Sequence, residues 1–183
     1  MNTYSLWIVP DDTHSNVLQQ KIDYLKPRLK GANFFPHITI IGKLKGELNN
    51  ITIRCQKIAQ KYQEVLIKLS HIETQERYFR AMYYKVLKTE TLEKLYRELE
   101  KEFEQDIIKK DDEYMPHLSL LYSDVKEEEK KLFIKKIEKN TPYDFLINKI
   151  HIINLDTAIP ESWRIQQSIK MGEKIEKIQL WNR

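Results

Sequence analysis

Among 183 residues there is one cysteine, Cys55. A single thiol excludes an intramolecular disulfide and any zinc site built on paired cysteines. Cys55 falls in a stretch of helical spacing with no activating neighbour in sequence, so it reads as a packed or surface thiol, not a nucleophile. Long apolar runs are also missing: none approaches the roughly 20 residues that span a bilayer. The N-terminal stretch has no basic lead, and its apolar part, Leu6 to Val9, is too short for a signal-peptide core. The expectation is a cytoplasmic protein with no membrane partner. The histidines show no zinc-binding arrangement such as His-Glu-x-x-His, so neither a metal nor another cofactor is expected.

A large excess of charge of one sign is missing too. The net charge of +4 permits an anionic substrate without requiring one, and does not mark a nucleic-acid binder. Lysine and glutamate alternate, as in Glu127 to Lys131, which reads as a solvated helical face. The length fits one domain or two small lobes on a shared core.

What is present is alternation of strand and helix. Tyr4 to Val9 reads as a strand and Ser15 to Leu29 as a helix. Phe35 to Ile41 is strand-like, Leu48 to Tyr62 helical and Val65 to Ile72 strand-like again. The order then repeats: strand Tyr78 to Leu87, helix Leu92 to Phe103, strand Met115 to Tyr122, helix Lys126 to Lys139 and strand Phe145 to Leu155. Trp163 to Lys170 and Ile175 to Trp181 could add strands to a sheet edge. Both halves, about 3–73 and 77–156, thus read β-α-β-α-β within a single domain spanning 1–183. One constant offset of 80 residues relates them: it carries Pro36, His37 and Thr39 onto Pro116, His117 and Ser119, Tyr4 onto Tyr84, and His71 onto His151. Two such copies facing each other across an approximate twofold axis would bring the matching residues into one cleft.

In a strand, residues i and i+2 share a face. His37 with Thr39, and His117 with Ser119, therefore each present an imidazole beside a hydroxyl. Ile38, Ile40, Leu118 and Leu120 point the other way, toward helices. Two imidazoles can divide acid and base work, one taking a proton from water and the other giving one to a leaving oxygen. The two hydroxyls would donate to the non-bridging oxygens of a phosphoryl group. A lone His-x-Thr or His-x-Ser is a weak signal. Two copies of Pro-His-apolar-hydroxyl-apolar at one place in a repeat are a strong one. His71 and His151 lack a hydroxyl two residues on, having Glu73 and Ile153 there, and read as structural; His14, at a helix start, reads as surface.

These motifs resemble those of the 2H phosphoesterase superfamily, and more closely its cyclic phosphodiesterase branch known from plants and yeasts. Three segments carry the resemblance: Tyr4-Ser-Leu-Trp7-Ile-Val-Pro10, Phe35-Pro-His37-Ile-Thr39-Ile, and Tyr114-Met-Pro-His117-Leu-Ser119-Leu-Leu-Tyr122. It implies an α+β bilobal fold, with two antiparallel sheets around a central cleft and helices outside. It also implies metal-independent hydrolysis of ADP-ribose 1″,2″-cyclic phosphate to ADP-ribose 1″-phosphate, a step following tRNA splicing. Nucleoside 2′,3′-cyclic phosphates would likewise be opened to 2′-phosphates. His37, Thr39, His117 and Ser119 match catalytic positions, and Tyr122 matches a tyrosine near the substrate, although strand parity turns it away from Ser119 unless the strand ends or bulges. Trp7 matches an early tryptophan that either packs against the nucleoside or belongs to the core. Tyr78-Phe79 followed by Arg80 either borders the base pocket or forms strand core. The expected partner is a small cyclic-phosphate nucleotide bound by a monomer. RNA ends bearing a 2′,3′-cyclic phosphate or a 2′-5′ linkage are the alternative, and a non-catalytic nucleotide- or RNA-binding module is the rival from another class.

Overall fold

Eight strands and four α-helices form among the residues described by the computed structural model: 2–108, 113–139, 141 and 143–173. The first half runs β1 (Thr3–Ile8), α1 (Asp12–Leu25), β2 (Ile38–Lys45), α2 (Leu48–Ala59) and β3 (Val65–Thr74). The second runs β4 (Met82–Val86), α3 (Glu90–Glu102), β5 (His117–Leu121), α4 (Glu127–Ile137), β6 (Asp144–Ile147) and β7 (Lys149–Asn154), and β8 (Arg164–Lys170) follows. The tail reading over Ile175 to Trp181 lies outside the described residues.

Local chemistry sets the boundaries. Asp11 caps α1, its carboxylate accepting the His14 backbone N–H at 3.0 Å. The helix stops short of the expected Leu29 because Pro27 has no N–H to continue it. Thr89 caps α3 through the Leu92 backbone N–H, and Leu92, Leu95 and Leu99 form its buried stripe.

Three expectations need correction. The segment read as one strand from Tyr78 to Leu87 begins with a 3₁₀ turn, Tyr78–Arg80, and extends only from Met82. The segment Phe145 to Leu155 breaks at Asn148 into β6 and β7. β6 pairs with β3, whereas β7 pairs with β1 and β8 in the other lobe, so the chain has to change lobes between them. Within the charged run read as a solvated face, Lys130 is wholly buried, and its ammonium donates to the Gln75 carbonyl at 2.6 Å.

The strands lie in the order β6-β3-β4-β5-β2-β1-β7-β8, every neighbouring pair antiparallel. The eight strands form one continuous curled sheet, whose two four-stranded lobes meet at a seam between β5 and β2. That seam holds a single residue pair, Ile38 with Leu118. These are the two residues that the offset of 80 equates. The lobes are not the sequence halves, however: β3 pairs with β4, and β7 pairs with β1. Each half thus sends its closing strand into the other lobe. Helices pack outside, α1 on β5, α4 on β3, α3 on β2 and β3, and α2 on β7 and β8. No helix among the described residues is long and apolar enough to cross a membrane.

Candidate active site

The seam determines which side chains meet. With Ile38 opposite Leu118 in antiparallel register, one step either way places His37 across from Ser119 and Thr39 across from His117. Directly opposed residues share a face, so all four polar side chains project together. The two histidines are diagonal neighbours, a relation that usually sets residues ~7–8 Å apart, with their Cβ atoms somewhat closer. The intervening Ile38, Ile40, Leu118 and Leu120 are buried, as expected of residues facing the helices.

Both imidazoles are held alike. The Nδ1–H of His37 donates to the Phe35 carbonyl at 2.7 Å, and that of His117 to the Met115 carbonyl at 2.9 Å. A carbonyl can only accept, so Nδ1 carries a proton in each ring and Nε2 is left to take or give the second. In each case the acceptor lies two residues upstream across a proline, Pro36 or Pro116. The fixed φ of proline and its restriction of the preceding residue preset that carbonyl. The repeated proline of the motif thereby gains a physical role.

Around His37 the packing is aromatic. Trp7 stacks flat on its ring, with centroids 3.4 Å apart and planes 3° from parallel. Trp7 is fixed in turn by its indole N–H, which donates to Ser5 Oγ at 2.7 Å, while the Ser5 hydroxyl donates to the Ile41 carbonyl at 2.8 Å. Trp7 is only 2% exposed, with one face spent on the His37 ring. Burial pushes the His37 pKa down to about 3, with the charge of neighbouring His117 acting in the same direction. Its ring is therefore neutral at physiological pH.

Tyr122 lies on the His37 side. Strand β5 ends at Leu121, which releases Tyr122 from strand parity, and its hydroxyl comes 3.3 Å from His37 Nε2. Because that nitrogen is the acceptor, Tyr122 donates. Its ring stacks on Phe34 at 3.9 Å, and burial holds its hydroxyl pKa well above the usual phenol value. The Ser119 hydroxyl lies beside Tyr122 and donates to the Phe79 carbonyl at 3.2 Å. On the other side, Thr39, Gly42, Arg80, Tyr96, Tyr114 and His117 line a cleft that opens next to the second motif.

Other residues singled out in the sequence fall elsewhere. His71 is exposed and bonded to Glu73 at 3.0 Å. His151 sits across from Trp7, is buried, and bonds Ser168 at 2.9 Å; burial lowers its pKa to about 4. His14 pairs with Asp11 at the start of α1. Cys55 is wholly buried and its thiol is pushed up, against any nucleophilic role. Among the described residues no group of three or more His, Cys, Asp or Glu is placed to hold a metal ion. Three neighbours of the site went unnoticed in sequence: Ser5, which fixes Trp7; Tyr83, whose ring meets His117 edge-on at 5.3 Å; and Trp163, which meets Trp7 edge-on at 5.5 Å.

A sequence profile of the cyclic phosphodiesterase-like protein family matches residues 1–182. The chain belongs to that family. Its members are enzymes, phosphoric diester hydrolases, as the motifs implied. The chain is 29% identical over 132 residues to a 2′,3′-cyclic-nucleotide 3′-phosphodiesterase of Phaeosphaeria nodorum, covering 66% of this chain and 68% of the relative. It is 22% identical to a cyclic phosphodiesterase of Arabidopsis thaliana, covering 71% and 70%. Among solved structures, Escherichia coli LigT complexed with 3′-AMP superposes with a TM-score of 0.60 at 10% identity, covering 94% of this chain and 99% of LigT. That likeness is one of fold, and it agrees with the 2H phosphoesterase architecture.

Proposed function

We propose that this cyclic phosphodiesterase opens cyclic phosphates of nucleotides by two-histidine acid/base catalysis, with no metal in the reaction. ADP-ribose 1″,2″-cyclic phosphate would yield ADP-ribose 1″-phosphate, and nucleoside 2′,3′-cyclic phosphates would yield 2′-phosphates. The observation that carries the reading is the single-pair seam, because it sets two imidazole–hydroxyl pairs around one point. The names of the fungal and plant relatives, and the binding of 3′-AMP by LigT, agree with a small nucleotide ligand.

In the proposed step a water oxygen bonds to phosphorus as the bond from phosphorus to one ribose oxygen breaks. His37, buried and neutral, takes the water proton on Nε2. His117, half-buried and nearer solvent, gives a proton to the departing oxygen, and the sum is addition of one water. Thr39 and Ser119 donate to the non-bridging oxygens, where negative charge grows. Ser119 must leave the Phe79 carbonyl to do so. Tyr122 yields His37 Nε2 to the water and turns its hydroxyl to the substrate.

The test is an assay in EDTA with ADP-ribose 1″,2″-cyclic phosphate, adenosine 2′,3′-cyclic phosphate and a short RNA ending in a 2′,3′-cyclic phosphate. Turnover of the two small substrates is expected. Preference for the RNA would move the assignment to RNA-end processing. No turnover, with binding retained, would leave a nucleotide-binding module.

A further inference from the structure

Strand β3 carries one residue more than β4 between Leu69 and Ile72, where the register steps from Val86 to Tyr84. Val65, Ile67 and Leu69 face the core, and strict alternation would send Glu73 there with them. The bulge reverses the parity: Ile72 takes the core face and Glu73 comes out on the cleft face, opposite Tyr83. Tyr83 in turn lies opposite Ser119, and Lys85, two residues on, lies opposite His117. Directly opposed residues share a face, so Glu73, Tyr83 and Lys85 stand on the floor that carries the second motif. An irregularity of the sheet thus brings a carboxylate to the reacting face, with one strand between it and His117.

Both oxygens of that carboxylate are engaged. Oε2 accepts the Tyr83 hydroxyl at 2.8 Å, while Oε1 lies 3.3 Å from the Lys85 ammonium and 3.0 Å from His71 Nε2. The Tyr83 ring is wholly buried, and its hydroxyl also accepts the Gln75 side-chain N–H at 2.8 Å, so it holds the carboxylate in a fixed place. The Tyr83 bond, joined by those of His71 and Lys85, keeps the Glu73 carboxyl below the usual carboxylate range against its partial burial. Glu73 is therefore charged at neutral pH.

Lys85 connects this cluster to the chemistry. Opposed residues on antiparallel strands have Cβ atoms ~4.5–5.5 Å apart, so a loose ammonium at Lys85 would have the His117 ring within reach. A cation there disfavours the imidazolium, and with it the proton that the departing oxygen needs. Glu73 lies across β4 from His117, and its bond to Lys85 draws the ammonium to that far side. The other charged groups facing His117 are Arg80 in the 3₁₀ turn and Glu100 on α3, both lining the cleft. Its remaining titratable neighbours are His37 and the phenols of Tyr83, Tyr96 and Tyr114. Arg80 and Glu100 are opposite in sign, which leaves the Lys85 charge to be offset by Glu73.

We propose that Glu73 is a positioning residue for the reaction, holding the Lys85 ammonium away from His117 and so keeping that ring in its protonated, acid form. This rests on the reading of His117 as the general acid. It also gives the β3 bulge a function, since without the extra residue the carboxylate would point into the core.

The test follows His117 itself and then the rate. Its ring signals, assigned with His117→Gln, are titrated by NMR in wild type, Glu73→Gln and the double variant Glu73→Gln/Lys85→Met. Glutamine can still accept from Tyr83, so the single change removes the charge and spares that bond. In Glu73→Gln the His117 titration should move down by about 0.5–1 pH unit, and by less in 1 M salt. The double variant, with no ammonium left to hold, should return to the wild-type midpoint. The alkaline limb of kcat/KM for adenosine 2′,3′-cyclic phosphate should move in step, whereas a merely structural role would lower the whole profile and leave the limb in place. An unmoved His117 titration in Glu73→Gln overturns the proposal, as does a shift that the double variant keeps. If wild type hydrolyses no cyclic phosphate, the catalytic reading fails, while the NMR titration still decides whether Glu73 governs the charge on His117.

Discussion

The two histidine motifs share a backbone frame and differ in what surrounds them. Each ring donates Nδ1–H to a carbonyl two residues upstream and turns Nε2 toward the cleft. His37, however, is 5% exposed, covered by Trp7, with the Tyr122 hydroxyl on its Nε2. His117 meets the edge of the Tyr83 ring and borders an open cleft that includes Arg80. The hydroxyls differ in the same sense: Ser119 is buried and bonded to the Phe79 carbonyl, while Thr39 is half-buried and lines the cleft. The two motifs are alike in sequence, and packing makes them unequal. Acid/base work needs that inequality, since one ring must lack the proton that the other carries.

The largest effect expected concerns the rings themselves. His37→Ala and His117→Ala should each lower kcat roughly 10²–10⁴-fold. The double variant should be little worse than the poorer single, because both groups serve one transition state. Rates of all four proteins in EDTA check this, and substantial hydrolysis by the double variant would break the two-histidine mechanism. Against pH the wild-type rate should pass through a maximum between two apparent pKa values that belong to the pair.

Next come the hydroxyls. Thr39→Ala and Ser119→Ala should each slow turnover roughly 10²–10³-fold with the fold intact. Steady-state kinetics beside thermal unfolding separates the two possibilities, and full activity in the double variant would remove the hydroxyls from the mechanism.

The smallest effect sharpens the contrast in burial. His37 and His151 have folded pKa values lowered to about 3 and about 4, against 6.5 when unfolded. Below pH 6.5 the unfolded chain therefore binds protons that the native state refuses. Stability from this source is complete above pH 6.5 and is lost as pH falls toward 4 and then 3, at about 1.4 kcal/mol per pH unit for each ring. Urea unfolding between pH 7 and pH 5 should show the decline, and His37→Gln should make it shallower. An unchanged slope in that variant would place His37 in a wetter setting.

Much of this was legible before any coordinates. The offset that equated His37 with His117 also equated Ile38 with Leu118, and those two residues meet at the seam. Local patterns placed all four helices, because capping residues and apolar stripes act within a few positions. What the sequence withheld is non-local. Nothing in Val65 to Ile72 says that this strand joins the opposite lobe, since strand partners are chosen by packing across the whole sheet. Tyr122 was ambiguous because its direction depends on β5 ending one residue earlier. Phe79 looked like strand core until the 3₁₀ turn took it out of the ladder. Trp163 escaped notice because only its distant neighbours, Trp7, Phe79 and Tyr122, give it a place.

The exchanged strands carry a consequence for what half of this molecule could be. A chain holding only one β-α-β-α-β unit would leave β1 and β2 without the strand that closes their sheet, and its own third strand without a host. Two copies would satisfy both needs by trading third strands, and the seam between them would set two identical histidines face to face. Such a dimer would be symmetric, with no ring more deeply buried than its twin. Joining the units in one chain is what allows tryptophan to cover one histidine and leave the other open.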